Sequence, residues 1–92
     1  MWRRVVLEVD AFAEIVFWKL PAPRHSPGPV YKFRFAYVVD GKCVLRYDNE
    51  RGKGAHRHCD GVETSYAFDT PERLVAGFLA DIRRWNDEHG RT

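Results

Sequence analysis

Tyr31-Lys32-Phe33-Arg34-Phe35-Ala36-Tyr37-Val38-Val39-Asp40-Gly41 alternates more cleanly than any other part of the chain. Successive side chains of an extended strand point to opposite faces. Tyr31, Phe33, Phe35, Tyr37 and Val39 therefore form one aromatic face, and Lys32, Arg34, Ala36 and Val38 form another that begins basic. Asp40-Gly41 is a strong two-residue hairpin signal, because such turns take positive φ at both central positions. The spacing predicts a strand ending at Val39, a tight turn and a return strand from Cys43 to Tyr47. The ring face reads as core rather than as a base-stacking platform, since a small domain needs these rings under a covering layer.

Working outward, Val5, Val6, Leu7 and Val9, then Ile15, Val16, Phe17, Trp18 and Leu20, read as two more strands with a turn at Asp10-Ala11-Phe12. Pro21, Pro23, Pro27, Gly28 and Pro29 mark a surface loop, because proline supports neither a helix interior nor a central strand. Downstream, Thr64 to Phe68 reads as a short strand, and Thr70-Pro71-Glu72 as a helix start with a hydroxyl cap, proline at the first position and an acid in the first turn. Leu74, Val75, Phe78, Leu79, Ile82 and Trp85 recur at helical spacing and predict one apolar stripe, with Gly90 as the stop. Trp18 and Trp85 are both read as core. Strands first and one amphipathic helix last give an α+β fold, an antiparallel sheet of about five strands with the C-terminal helix packed on one face.

Ninety-two residues make one domain, 1–92, burying roughly 60–70% of the surface its unfolded chain exposes. There is little room for a deep cleft, so a site is expected on a surface or at an interface. The net charge of +2 is too small to argue for nucleic acid by itself. Its distribution says more: from Lys42 to His58, Lys42, Arg46, Arg51, Lys53 and Arg57 face only Asp48 and Glu50. Cys43 and Cys59 form no C-x-x-C pair and read as free thiols. No stretch approaches membrane-span length, and Glu8, Asp10 and Glu14 interrupt any signal-like apolar run, so a cytoplasmic protein is expected.

The densest chemistry lies in Tyr47-Asp48-Asn49-Glu50-Arg51-Gly52-Lys53-Gly54-Ala55-His56-Arg57-His58-Cys59-Asp60. If residues 55–60 are extended, His56, His58 and Asp60 share one side while Arg57 and Cys59 point away. Cleaving RNA through its 2′-hydroxyl needs a base, an acid and cations on the phosphate. Two imidazoles can supply the first two, because imidazole is the side chain whose unperturbed pKa, about 6.5, lies nearest neutrality. Arg51, Lys53 and Arg57 can supply charge, extended along the sheet by Lys32 and Arg34. This chemistry needs no cofactor. A metal set of His56, His58 and Asp60 or Asp48 is a second reading, resting on the unspecific H-x-H pattern. Gly52-Lys53-Gly54 reads as a phosphate nest or as a plain flexible turn, and lacks the context of a P-loop. Cys59 beside His58 lacks any readable oxyanion machinery for a nucleophile.

Several of these segments together resemble the TumE-type toxin family of prokaryotic toxin–antitoxin modules. They are Ile15 to Pro21 (IVFWKLP), Tyr31 to Arg34, YDNERGKGAHRH from Tyr47 to His58, and the pattern Tyr66, Phe68, Leu74, Phe78, Asp81. The resemblance covers about residues 14–85, and the YDNERGKG-x-HRH run is its specific part. It implies a small toxin neutralised by a cognate antitoxin of helix-turn-helix type. The matching site positions are Tyr47, Asp48, Asn49, Glu50, Arg51, Gly52, Lys53, Gly54, His56, Arg57 and His58, among which Tyr47, Asp48, Asn49, Gly52 and Gly54 would position the loop. The family pattern commonly carries an aspartate before the first histidine, where this chain has Ala55. If that carboxylate orients His56 or binds metal, the departure bears on catalysis more than on partner binding.

Two functional readings of different class follow. One is a toxin-module endoribonuclease, metal-independent, with His56 and His58 as base and acid and Arg51, Lys53, Arg57, Lys32 and Arg34 on RNA. The other is a non-catalytic module binding protein or nucleic acid. An exposed sheet edge leaves either a homodimer or an antitoxin-bound heteromer open.

Overall fold

A computed structural model describes residues 2–20, 30–50 and 54–91. The expected proline loop and the positions Arg51, Gly52 and Lys53 lie outside the described residues. Strands β1 (Trp2–Glu8), β2 (Ala11–Leu20), β3 (Val30–Val39), β4 (Lys42–Glu50), β5 (Gly54–Cys59) and β6 (Val62–Ser65) pair antiparallel in chain order, and helix α1 (Pro71–Glu88) follows. The fold is α+β, with six strands among the described residues.

Both Asp-Gly pairs make the turns their chemistry favours. Asp40 and Gly41 have φ of 51° and 77°, and Asp60 and Gly61 have 49° and 83°. The second turn moves the last strand forward: it runs Val62–Ser65 instead of Thr64–Phe68, because pairing resumes at once with Cys59 opposite Val62. The first hairpin turns at Val9 and Asp10, so β2 begins at Ala11.

The expected ring face is the core, with Phe33, Phe35, Tyr37 and Val39 all buried, joined by Leu45 and Tyr47 from β4. Helix α1 covers it with Leu74, Phe78, Ile82 and Trp85. Phe78 meets Phe35 and Tyr47 edge-on, and Trp85 meets Tyr37 the same way. Thr70 caps the helix by accepting a hydrogen bond from the Arg73 amide at 3.1 Å, with Pro71 next. Gly90, at φ 68°, ends it, and the Arg91 amide donates back to the Asn86 carbonyl at 2.7 Å.

Two side chains depart from the expected core. Leu79 is exposed, whereas Asp81, on the inner face with Leu74, Phe78 and Trp85, is buried. Trp18 is 50% exposed, because β2 turns its odd-numbered side chains toward the core and Trp18 goes with Phe12, Glu14 and Val16 to the opposite face.

Candidate functional site: the open face of the sheet

The face away from α1 carries two cross-strand rows. One runs Val16, Arg34, Asp48, His56, Ser65; the other runs Glu14, Ala36, Arg46, His58, Glu63. The histidines thus sit within the sheet, on a strand flanked by β4 and β6, where the sequence suggests a loop at a sheet end. Strand β4 continues past Tyr47 to Glu50.

Glu63 joins the two imidazoles. Its Oε1 lies 3.1 Å from Nδ1 of His56, its diagonal neighbour, and 3.9 Å, beyond hydrogen-bond reach, from Nε2 of His58, directly opposite on the same face. On the other side, an Arg46 Nη lies 3.1 Å from His58 Nε2, and Arg46 Nε lies 3.1 Å from Asp48 Oδ2. A guanidinium has donors only, so this contact is a hydrogen bond in the tautomer of His58 that leaves Nε2 as the acceptor. The side chains of His56 and His58 keep about a quarter of their surface exposed, enough to meet a ligand while held by neighbours.

Arg57 and Cys59 project to the helix side, as alternation predicts. Arg57 Nε donates to Asp81 Oδ2 at 2.7 Å, the Tyr47 hydroxyl donates to the same oxygen, and Arg84 pairs with Asp81 Oδ1 at 3.2 Å. Burial pushes Asp81 up, but the hydrogen bonds from Arg57 and Tyr47 and the two nearby guanidinium charges outweigh it, holding the carboxyl below its ordinary value. Tyr47 is pushed well above the usual phenol range, first by burial and then by the Asp81 carboxylate. Burial likewise pushes the Cys59 thiol up, the opposite of what an activated nucleophile needs.

Asp60 does not share a face with the histidines. The strand ends at Cys59, Asp60 enters the turn, and its Oδ1 accepts from Trp85 Nε1 at 2.9 Å on the helix side. The expected trio of His56, His58 and Asp60 is therefore not assembled, and no cluster of three metal-ligating side chains is found among the described residues. Ala55 also faces the core, with its carbonyl accepting from the Tyr66 amide at 2.9 Å. A side chain there lies on the opposite side of the strand from His56, where it cannot orient that ring.

Asn49 shows how the motif positions the site. Its Oδ1 accepts from the Phe33 amide at 2.8 Å and its Nδ2 donates to the Tyr31 carbonyl at 2.7 Å. The carboxamide stands in for a strand backbone and holds β4 to β3 beyond the last paired residues, Arg34 and Asp48. Gly54, at φ 74°, then starts β5 in a conformation that favours glycine.

Of the expected residues, Asp48, His56, His58 and Arg34 lie on the open face, with Lys32 one step along β3. Tyr47 and Arg57 lie behind it. Sequence reasoning missed Glu63; it counted Arg46 only among the local cations and Asp81 only in the family pattern, and gave neither a place in the site. A signal for Glu63 existed: Asp60-Gly61 is the same hairpin dipeptide as Asp40-Gly41, and a two-residue turn there sets His58 opposite Glu63.

A single-sheet α+β domain with histidines and cations on the face that no described element covers is the class this geometry defines. The chain belongs to the TumE toxin family, described as Toxin TumE, which matches residues 3–86. It is accordingly a toxin of a toxin–antitoxin module, and a cognate antitoxin is its partner. No curated protein and no solved structure matches it. No helix among the described residues is long and apolar enough to cross a membrane.

Proposed function

We propose that the toxin is a metal-independent endoribonuclease that cleaves RNA by 2′-hydroxyl attack on its open sheet face. The observation that carries this reading is Glu63 Oε1 at 3.1 Å from His56 Nδ1 and 3.9 Å from His58 Nε2, with Arg46 beside them. His58, in the tautomer that leaves Nε2 unprotonated, takes the 2′ proton as the 2′-oxygen attacks phosphorus. His56, its Nδ1 held by Glu63, protonates the leaving 5′-oxygen from the other ring nitrogen as the phosphorus–oxygen bond breaks. A 2′,3′-cyclic phosphate and a 5′-hydroxyl are the products. Arg46 neutralises the scissile phosphate and Arg34 a neighbouring one, with Arg51 and Lys53 as further cations of the same stretch of sequence. Arg57, engaged by Asp81, positions the strand from behind.

The toxin acts in the cytoplasm, restrained by an antitoxin of helix-turn-helix type. Expression without the antitoxin is expected to arrest growth. His56→Ala with His58→Ala should abolish arrest and lower cleavage by at least the roughly 10²–10⁴-fold of general acid–base catalysis, in chelator-treated buffer and with cyclic phosphate ends in the wild type. Cleavage persisting in the double variant sinks the assignment. Salt-sensitive RNA binding without turnover would leave a non-catalytic binding module instead.

A further inference from the structure

Trp18 is an indole on the wrong side of the sheet for a core residue. It stands half exposed on β2 with Lys32 directly opposite on β3, and Val16, two residues back, stands opposite Arg34. Arg34 in turn faces Asp48, and Asp48 faces His56, so an unbroken run of neighbours leads from the indole to the histidines. Neither Lys32 nor Arg34 has a carboxylate partner among the described residues, whereas Arg4, Arg46, Arg57, Arg73, Arg84 and Arg91 all do. Three strand spacings across and two residues along separate Trp18 from His56, about 16 Å in all. That is a span of a few nucleotides.

We propose that this face, which no described element covers, is a track for single-stranded RNA, on which Trp18 stacks a nucleobase remote from the scissile bond while Lys32 and Arg34 hold the intervening phosphates. This rests on the ribonuclease reading and names the form of its substrate. A flat indole edged by unneutralised cations offers a single strand the two contacts it needs, a stacking surface and a charged path. A duplex cannot use it, because its bases are already stacked. A substrate that ends at the cleavage step does not reach Trp18. The track therefore selects single-stranded RNA long enough to lie across β2 to β5.

The test uses the purified full chain and single-stranded oligoribonucleotides with 2′-O-methyl groups, which bind without being cut, in two lengths: a dinucleotide and a decamer. Trp18→Ala should weaken decamer binding by about 5- to 150-fold, the range for one lost base–aromatic stack. Trp18→Phe should recover most of it, and dinucleotide binding should not change. Lys32→Ala and Arg34→Ala should each lower the slope of log affinity against log salt by about 0.7. Unchanged decamer affinity in Trp18→Ala, with RNA still cut by the wild type, overturns the track and leaves the ribonuclease reading standing. No binding or cleavage by the wild type overturns both. A Trp18→Ala chain that keeps its RNA affinity but loses its antitoxin assigns the face to the protein partner and overturns the track.

Discussion

Arg57 Nε and Asp81 Oδ2 stand 2.7 Å apart across the sheet–helix boundary, and Arg57 lies between His56 and His58 on β5. The strand that presents both imidazoles on one face is thus tied on its other face to α1. Helix, core and site are one mechanical unit, since the Tyr47 hydroxyl donates to the same carboxylate oxygen from β4.

Asp81→Asn should expose the weight of this tie. Arg57 would keep its charge with a neutral partner, and breaking a buried pair costs about 3–5 kcal/mol. The guanidinium side chain retains 26% of its exposure, so a loss of roughly 2–4 kcal/mol is expected at neutral pH. The pH dependence has a definite sign. Asp81 in the folded chain titrates below its ordinary 3.8, so its contribution is complete above that value and disappears as pH falls through the folded pKa. Urea unfolding of both chains should show a gap that is constant near neutrality and narrows in acid below about pH 4. A gap independent of pH would remove the ionised carboxylate as the cause.

Asn49→Ala should loosen the end of the sheet nearest the site. Two backbone groups of β3, the Phe33 amide and the Tyr31 carbonyl, would lose their partners, at about 1–3 kcal/mol in total where water can partly replace them. Hydrogen exchange at the Phe33 amide should quicken, while the Phe35 and Tyr37 amides, deeper in the sheet, keep their protection. Equal exchange at Phe33 in both chains would mean that the carboxamide does not hold the strand.

The fold was legible wherever one local rule decided the outcome. Tyr31 to Val39 could be only a half-buried strand, Asp40-Gly41 only a hairpin, and Thr70-Pro71-Glu72 only a helix start, and all three stand as read. The site was legible as residue types but not as partners. His56 and His58 follow from period-two spacing, yet Glu63 reaches them through register, which a chain read one segment at a time does not supply. Trp18 was misread because an apolar run, Ile15 to Trp18, conceals which member of each pair faces the core. The family pattern includes Asp81, but its role was not legible, since a carboxylate beside an apolar stripe has no readable partner until Arg57 and Tyr47 arrive from distant strands to satisfy it.

Glu63 offers the sharpest separation of chemistry from folding. It lies on the short, exposed β6 and its side chain is 54% exposed, so its loss should leave stability within about 0.5 kcal/mol of the wild type. What it holds is the Nδ1 side of the His56 ring, and its loss removes one of the contacts that aim the ring at the leaving oxygen. Misplacing a reacting group by about 1 Å costs up to 10²-fold, so Glu63→Ala should lower the turnover of RNA by one to two powers of ten with little change in KM. Glu63→Gln, which keeps an acceptor at the same reach, should fall between that variant and the wild type. Single-turnover cleavage of a labelled oligoribonucleotide, alongside a thermal melt, checks both expectations. Full turnover in Glu63→Ala would show that the ring is oriented by another group, and a loss confined to KM would place Glu63 in RNA binding.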